Sequence, residues 1–187
     1  ILLAAGGSKR LKSSTPKPYV KINGKSILDL SYESFAGINK IKKTVIVYNK
    51  KHKKHLSKLS RGNAIKITGG RTRQESTFIA LKKIKKMNCK KILIHDAARP
   101  NPSKKLINEI INKLNYYHAV IPIIKTNDAT KRYAKNLIFK NIQRGTLGSS
   151  QTPQGFTFSK IYEKHSENID ETFDDDSALF TICGEKV

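Results

Sequence analysis

The apolar residues of this chain alternate between two patterns, short unbroken runs and longer stretches with a helical period. The unbroken runs hold three to five residues each, and several are rich in isoleucine and valine. Such runs are typical of strands that are buried on both faces of a parallel sheet. They predict strands at 1–4, 44–48, 92–95 and 119–121, and the segment 64–68, which Lys66 interrupts, predicts a further short strand.

Between these runs, apolar residues recur every three or four positions, as they do on the buried face of a helix. Leu28, Tyr32 and Phe35 mark a helix that starts at Ser26. A Lys-rich helix is predicted to end near residue 59, and another begins at Arg73. A fourth helix buries Leu106, Ile107, Ile110, Ile111 and Leu114. This alternation, with its short connections, predicts an α/β fold with a doubly wound, mostly parallel, Rossmann-like sheet in a single domain over 1–187.

The alternation breaks at Thr126. From 127 to 144 apolar residues are sparse and a helical period is missing, and Asn136 can turn a polar β-hairpin. Because such an arm has little to bury within its own domain, we expect it to contact a partner subunit. Further on, three acids precede a short apolar helix, where they suit either the helix N-terminus or a metal ion. They are Asp174, Asp175 and Asp176.

The chain is strongly basic, but its lysines are dispersed. It has 37 Lys and Arg residues against 14 Asp and Glu, a formal net charge of +23. Such an excess attracts nucleic acid, anionic membranes or anionic small substrates. Lysine runs such as 50–54 and 82–86 are typical of solvated helix faces, and aromatic residues suited to stacking on bases are not evident. A basic nucleic-acid-binding module is therefore the weaker alternative. No apolar run approaches the ~20 residues of a membrane span.

The cysteine count indicates a reducing compartment. Cys89 and Cys183 lie far apart in the sequence, which argues against a disulfide framework and favours the cytoplasm. His52 and His55 have the spacing of metal ligands, but no carboxylate or thiol lies beside them, so we do not assign a zinc site there. The chain opens inside its first predicted strand without an initiator methionine, which predicts a fragment of a longer protein.

The first predicted strand leads into a loop of small residues that carries two cations. Ala5, Gly6 and Gly7 let the backbone approach an anion closely, and consecutive N–H groups can form an anion-binding concavity. Arg10 and Lys17 would then face the same anion from the side. The loop matches neither the G-x-G-x-x-G pattern nor the P-loop.

Two further loops follow strands of the same predicted sheet. In doubly wound folds, ligands bind outside the carboxyl ends of the strands. That rule brings three loops to one edge, namely 6–10, 69–76 and 96–99. The second loop offers paired glycines with the donors Arg73 and Ser76. The third offers Asp96, an acid among basic residues that can bind a metal ion or sugar hydroxyls. Converging cations, glycine loops and one acid predict a site for phosphoryl or nucleotidyl transfer.

Four segments carry a resemblance to a known family. Leu3-Ala4-Ala5-Gly6, with Arg10 and Pro16-Lys17, resembles the opening loop of the sugar-nucleotide pyrophosphorylase-like nucleotidyltransferases. The other three segments are Gly69-Gly70 with Arg73 and Ser76, His95-Asp96-Ala97-Ala98-Arg99-Pro100, and Gln151-Thr152-Pro153-Gln154-Gly155-Phe156. Together, over essentially the whole chain, they resemble the 2-C-methyl-D-erythritol 4-phosphate cytidylyltransferases of the non-mevalonate isoprenoid pathway. The ribitol-5-phosphate cytidylyltransferases share most of this pattern and stand as the alternative.

The resemblance implies a Mg²⁺-dependent transfer of the cytidylyl group of CTP to a sugar phosphate, with release of pyrophosphate. It assigns the stabilisation of charge on the phosphates to Arg10 and Lys17. It implies contacts with CTP for Ala4, Ala5, Gly6, Gly70, Ser76 and Ala97. It implies contacts with the sugar phosphate for Asp96, Arg99, Arg144 and Thr152, and Asp96 is also expected to face the metal ion.

The resemblance also implies an assembly. A homodimer is expected, in which the arm over 127–144 carries Arg144 to the site of the other subunit. Some family members are fused to a cyclodiphosphate synthase, and such a domain after Val187 is compatible with the sequence.

Several positions depart from the family pattern. Ser8 stands in place of a glycine, Arg71 in place of a common acid, Ala129 interrupts an expected Asp-Thr pair, and Phe173 replaces a threonine. The chain also ends at Val187, before the family's Asn-Ile-Lys segment, so we expect the domain to be truncated at both ends.

Overall fold

A computed structural model describes residues 1–7, 15–56, 64–169 and 171–187. Its strands are β1 (Leu2–Ala4), β2 (Lys21–Ile22), β3 (Lys25–Ser26), β4 (Val45–Tyr48), β5 (Ile65–Thr68), β6 (Lys91–Asp96), β7 (Ala119–Val120), β8 (Ile123–Lys125), β9 (Lys131–Ala134), β10 (Leu137–Asn141), β11 (Gly148–Ser150) and β12 (Gln154–Thr157). Its α-helices are α1 (Ile27–Ala36), α2 (Arg73–Ile84), α3 (Lys104–Lys113), α4 (Phe158–Glu167) and α5 (Ala178–Thr181). Short 3₁₀ helices lie at Lys17–Tyr19, Lys50–Leu56 and Lys85–Met87.

Six of these strands form the central sheet, in the order β5-β4-β1-β6-β12-β7. β5, β4, β1 and β6 are parallel, and β12 runs antiparallel between β6 and β7. Within this sheet β12 therefore runs against the other five strands. The prediction of a mostly parallel sheet is confirmed.

Helices cover both faces of the sheet, as a doubly wound fold requires. Successive side chains of a strand point to opposite faces, so Val45 and Val47 enter one apolar core and Ile46 enters the other. The first core contains side chains of α2, α4 and α5, and the second contains side chains of α1 and α3. The predicted start of α1 is also confirmed, because Ser26 Oγ accepts from the Asp29 N–H and Asp29 Oδ2 accepts from the Ser26 N–H.

The sequence pattern does not predict β12 and α4. Gln154 and Gly155 are weak strand formers, but Gly155 lies where α3 packs closely on the sheet. In α4, Phe158, Ile161 and His165 are buried at helical spacing, and that period could have indicated the helix. The Lys-rich helix predicted to end near residue 59 is a 3₁₀ helix over Lys50–Leu56, and residues 57–63 lie outside the described part of the chain.

The region after Thr126 forms an arm built from antiparallel pairs. β9 pairs with β10 and β8 pairs with β11. Lys135 and Asn136 turn the β9–β10 hairpin with positive φ angles of 47° and 65°, which confirms the predicted turn. The prediction of a polar arm is wrong for the β9–β10 hairpin, which exposes apolar side chains. All residues of β9 and β10 are exposed, and they include Tyr133 and Leu137, which are 72% and 73% exposed.

In the described residues, no helix has the length and the apolar character that crossing a membrane demands.

The first prediction tests the packing of α3 on β12. A methyl group added at Gly155 would lie 2.4 Å from Ile110 Cγ2 and 3.0 Å from Leu114 Cδ1. We expect Gly155→Ala to lower the free energy of unfolding by about 1–3 kcal/mol, because the close-packed core must shift to admit the methyl group. Urea unfolding followed by circular dichroism measures this change.

Gly37→Ala is the matched control. A methyl group at Gly37 would lie 3.6 Å from the nearest atoms, an ordinary contact, and the φ angle of −82° suits any residue. Its stability should change by less than about 1 kcal/mol. Equal stability of the Gly155→Ala variant and the wild type would contradict the described packing.

Candidate active site

Paired glycines after β5 pack tightly against the loop that follows β1. A methyl group added at Gly69 would lie 2.7 Å from Ser76 Oγ and 2.8 Å from Ala5 Cβ. The Gly70 N–H donates to Ser76 Oγ over 3.1 Å. Two of the three predicted loops therefore meet at one edge of the sheet with their backbones close together, as the approach of a polyanion to the backbone requires.

Two of the residues expected to contact CTP, Ala4 and Ala97, are fully buried. The Ala4 carbonyl accepts from the Tyr19 hydroxyl over 3.2 Å. The Ala97 N–H donates to the Leu3 carbonyl, and the Ala97 carbonyl accepts from Ser31 Oγ. These two alanines are therefore part of the floor of the site, with their backbone groups already used, whereas Gly6 is exposed at its edge.

Of the two predicted catalytic cations, Lys17 lies within the described residues and Arg10 does not. Lys17 is exposed on the 3₁₀ helix Lys17–Tyr19, and the Tyr19 hydroxyl ties that helix to the end of β1. Arg10 and the neighbouring Ser8 lie outside the described residues, so the position of Arg10 stays a prediction.

At the end of β6, Asp96 is held between two guanidinium groups. Its Oδ1 lies 3.2 Å from Arg73 Nε, and its Oδ2 lies 3.4 Å from Arg99 Nε. The Asp96 side chain is 32% exposed, so part of the carboxylate still faces solvent. The acid that the sequence predicts among basic residues is thus fixed between two cations, at the same edge as the glycine loop.

Arg73 also reaches a second, deeply buried carboxylate. Its Nη1 lies 2.6 Å from Asp176 Oδ2, and Asp176 Oδ1 lies 3.0 Å from His165 Nε2. Burial raises the pKa of Asp176, but the Arg73 charge and the His165 hydrogen bond outweigh burial and hold that pKa below its ordinary value. The five side chains His165, Asp176, Arg73, Asp96 and Arg99 form a continuous row of hydrogen-bonded and ion-paired groups from the core to the edge of the sheet, which we call the charged row after its last four members.

A separate hydrogen-bond system joins β6 to the segment before β12. The Asp96 N–H donates to Thr152 Oγ1 over 3.3 Å, and Thr152 Oγ1 lies 2.9 Å from His95 Nδ1. His95 Nε2 lies 2.8 Å from the Arg99 carbonyl, which can only accept, so this nitrogen carries the proton. A neutral His95 then accepts from the Thr152 hydroxyl at Nδ1. Arg99 also contacts the Gln151 side chain, so the two specific motifs lie side by side.

Burial keeps His95 neutral. The side chain is only 1% exposed, and burial lowers its pKa to about 4, with the hydrogen bond to the Arg99 carbonyl opposing this shift. A proton on Nδ1 would remove the acceptor for the Thr152 hydroxyl, so the connection between the two segments depends on the neutral form.

The three acids before α5 do not form a metal site. Asp174 is exposed, and Asp175 Oδ1 accepts from the backbone N–H groups of Ser177 and Ala178, so it caps the start of α5. Asp176 pairs with Arg73. Over the described ranges, no cluster of three His, Cys, Asp or Glu residues could hold a metal ion. The helix N-terminus was the correct alternative for Asp175.

Asp96 fits a divalent cation only as a single protein ligand. Magnesium is commonly bound by one or two carboxylates together with substrate phosphates and water. The exposed part of Asp96 suits that role, provided that most of the other ligands come from the triphosphate of the nucleotide. The protein around Asp96 supplies two guanidinium groups rather than further carboxylates.

The remaining predicted substrate residue, Arg144, is exposed in the arm, between β10 and β11. A cavity of about 500 Å³ lies at the opposite edge of the sheet, where β4 and β6 begin. Its walls are apolar residues such as Phe35, Val45 and Leu93 with lysines at the rim, and none of the residues predicted for the site lines it.

Sequence reasoning missed the roles of His95, Gln151 and Asp176. His95 and Gln151 stand inside the motifs that carry the resemblance, and their neighbours could have indicated them. No neighbouring residue in the sequence indicates the pairing of Asp176, because its partners His165 and Arg73 lie 11 and 103 residues away in the chain. Arg73 was recognised only as a donor of the glycine loop, although it connects two carboxylates.

Comparison with known proteins identifies the family of this chain. The family model described as "IspD: 2-C-methyl-D-erythritol 4-phosphate cytidylyltransferase" matches residues 1–187. The chain is 46% identical to the bifunctional enzyme IspD/IspF of Pelagibacter ubique, covering all of this chain and 50% of that protein. It is 33% identical to the 2-C-methyl-D-erythritol 4-phosphate cytidylyltransferase of Neorickettsia sennetsu, covering all of this chain and 84% of that protein.

Solved structures show the same fold. The 4-diphosphocytidyl-2C-methyl-D-erythritol synthase of Anaerococcus prevotii superposes with a TM-score of 0.84 at 26% identity, over 99% of this chain and 82% of that one. The bifunctional IspDF of Campylobacter jejuni gives a TM-score of 0.83 at 26% identity, over 99% of this chain and 47% of that one. The chain thus spans about half the length of its bifunctional relatives.

The second prediction uses the pKa of His95. The unfolded chain binds a proton on this histidine below about pH 6.5, whereas the folded chain resists protonation down to about pH 4. Stability should therefore fall as the pH falls between these values. We expect His95 to contribute a loss of roughly 2 kcal/mol between pH 7 and pH 5. Urea unfolding at both pH values measures it.

In His95→Gln most of this pH dependence should be absent, because glutamine does not titrate. His118→Gln is the matched control, since His118 is exposed, and it should keep the wild-type dependence. An unchanged pH dependence in His95→Gln would contradict the assignment.

Proposed function

Because this chain belongs to the 2-C-methyl-D-erythritol 4-phosphate cytidylyltransferase family, we propose that it transfers the cytidylyl group of CTP to 2-C-methyl-D-erythritol 4-phosphate in isoprenoid precursor synthesis. Residues 1–187 serve as a single nucleotidyltransferase domain in this proposal. The observation that carries it is the meeting of the glycine loop, Asp96 with its two arginines and Thr152 at one edge of the sheet.

The proposed reaction is a substitution at phosphorus. A phosphate oxygen of the sugar phosphate attacks the α-phosphorus of CTP and forms a new P–O bond. The bond between the α-phosphorus and the bridging oxygen breaks, and pyrophosphate leaves with that electron pair. Because such transition states are loose, the protein contributes mainly positioning and positive charge rather than a strong base.

Arg10 and Lys17 supply that charge in the proposal. Lys17 is exposed beside the end of β1, where it can reach a triphosphate that lies over Gly6 and Gly70. Backbone groups at Ala5, Gly6 and Gly70 are assigned to the path of the nucleotide, and the buried Ser76 hydroxyl holds the Gly70 N–H beneath that path. Ala4 and Ala97, buried beneath, give the floor its shape.

Asp96, Arg99 and Thr152 are assigned to the sugar phosphate. The carboxylate of Asp96 can accept hydrogen bonds from sugar hydroxyls, while the half-exposed Arg99 guanidinium has donors for a phosphate. Mg²⁺ bound to the triphosphate of CTP would neutralise part of its charge. Asp96 is the side chain that we assign to contact it.

The assembly is also a proposal. The apolar side chains exposed on β9 and β10 are Tyr133, Leu137, Ile138 and Phe139. Several large apolar side chains exposed on one hairpin are uncommon on a monomer, and a lone two-stranded hairpin is only marginally stable. We therefore assign the arm over 127–144 to a homodimer contact that delivers Arg144 to the site of the other subunit.

Two further assignments concern the location of the protein and its domain organisation. The free thiols of Cys89 and Cys183 support a reducing, cytoplasmic location. The bifunctional relatives support the prediction that a second catalytic domain, a cyclodiphosphate synthase, follows Val187.

The third prediction tests the reaction with the full-length protein. Pyrophosphate release from CTP should be fastest with 2-C-methyl-D-erythritol 4-phosphate and slower with ribitol 5-phosphate. Arg10→Ala and Lys17→Ala should each lower kcat by roughly 10²-fold or more, since each removes a charge that stabilises the transition state. Their unfolding midpoints should stay close to that of the wild type.

Lys21→Ala, a change at an exposed lysine four residues after Lys17, is the matched control and should keep wild-type turnover. Faster release with ribitol 5-phosphate would move the assignment to that alternative. Wild-type turnover in both cation variants would remove Arg10 and Lys17 from the mechanism.

The fourth prediction tests the dimer with a composite site. Phe139→Ser, a change at a 65% exposed residue of β10, should shift the full-length protein from dimer to monomer in sedimentation and reduce activity. Tyr116→Ser, a change at an 83% exposed aromatic residue outside the arm, should change neither. Mixing inactive Arg144→Ala with inactive Lys17→Ala subunits should restore up to about a quarter of wild-type activity, because each heterodimer contains one intact site. A fully active monomer would contradict the proposal.

A further inference from the structure

The charged row contains two buried residues, Asp176 and His165, that lie behind the residues assigned to the substrate. Asp176 and His165 are each only 1% exposed, and no assignment above gives either of them a role in the reaction. Burying a charged carboxylate is costly unless charge and hydrogen bonds compensate it, and here both of its oxygens are used.

Arg73 connects the buried pair to the site. One edge of its guanidinium, at Nη1, contacts Asp176 over 2.6 Å, and Nε contacts Asp96 over 3.2 Å. The shorter contact is the buried one, and Arg73 begins α2, so its backbone is fixed as well. A planar guanidinium that is held at one end presents its other donors in a fixed direction. The orientation of the Asp96 carboxylate therefore depends on Asp176.

His165 in turn holds Asp176. Its Nε2 donates to Asp176 Oδ1, and its ring stacks on Phe78 with a centroid distance of 5.9 Å and an angle of 10° between the planes. His165 Nδ1 is buried without a hydrogen-bond partner in the part of the chain that the structure describes. The imidazole thus has a single polar contact here, and that contact is with Asp176.

From this geometry we propose that Asp176 and His165 are positioning residues for the transfer reaction: through Arg73 they fix the direction in which Asp96 faces the sugar phosphate. The proposal rests on the proposed function above. Neither residue touches substrate. They raise the fraction of bound sugar phosphate that lies in line with the α-phosphorus of CTP. This matters because a small misplacement of the reacting groups strongly lowers the rate of transfer.

The test is a double-mutant cycle on the full-length protein, with kcat and KM measured for both substrates. Asp176→Asn should lower kcat/KM for the sugar phosphate roughly 10- to 100-fold and change KM for CTP less than about threefold. In an Asp96→Asn background the same change should lower kcat/KM less than about threefold further, because its effect acts through Asp96. Its effect on the unfolding midpoint should be similar in both backgrounds.

His165→Gln, which keeps a donor near Asp176 Oδ1, should lower kcat/KM less than Asp176→Asn does, and it replaces that variant if Asp176→Asn does not fold. Ile161→Val is the control for core destabilisation, since Ile161 is buried in the same helix α4 without any part in the charged row. It should lower the unfolding midpoint and leave kcat/KM unchanged.

A second readout does not depend on activity. The Nε–H of Arg73, observed by ¹⁵N NMR, should exchange slowly with solvent in the wild type and faster in Asp176→Asn. Independent effects of the two substitutions on kcat/KM, or an unchanged exchange rate, would overturn the positioning proposal. An inactive wild type with every sugar phosphate would instead overturn the proposed function, and the exchange measurement would still decide the role of Asp176.

Discussion

The parallel pairing of β1 between β4 and β6 is the constraint on which the candidate site depends. Leu2 lies opposite both Ile46 and His95, so the three strands are in register along one direction. Backbone bonds extend this register past the strand ends, from the Ala97 N–H to the Leu3 carbonyl and from the Gly69 N–H to the Tyr48 carbonyl. The loops that follow these strands and β5 must therefore leave the sheet at the same edge, whatever their sequences.

Electrostatics at that edge differ from those of the surface as a whole. The chain has a net charge of +23, which draws any polyanion toward it without selecting one. The few acids at this edge fix the directions of the arginine side chains. Asp96 and Asp176 bind Arg73 between them, and Arg99 lies on the other side of Asp96. A guanidinium group that is held between two carboxylates fixes the angle of each carboxylate, which a mobile surface lysine cannot do.

The sequence pattern predicted those elements of the fold whose formation depends on residues close together in the chain. The strands of the parallel sheet are buried on both faces, so their apolar runs stand out, and Ser26 and Asn136 mark a helix start and a hairpin turn through their own backbone chemistry. β12 was missed because its place in the sheet is decided by α3, which packs against Gly155. Asp176 was noted only as one of three acids before a helix, and its pairing was missed because only the folded chain brings Arg73 and His165 to it. The position of Arg10 stays a prediction, as do the roles of the site residues.

The antiparallel pairing of β12 with β6 explains why the motifs at 95–100 and 151–156, which are distant in sequence, lie side by side. Gln154 lies opposite Ile94 in that register, so continuing it by two residues places Thr152 opposite Asp96. The observed contact follows this rule, since the Asp96 N–H donates to Thr152 Oγ1 and the same hydroxyl meets His95. Asp96 is thereby fixed twice, through its backbone by Thr152 and through its carboxylate by Arg73 and Arg99. Sheet register aligns the main chain and the charged row aligns the side chain. In the proposed reaction, a carboxylate whose backbone and side chain are both fixed is preorganised for the sugar phosphate.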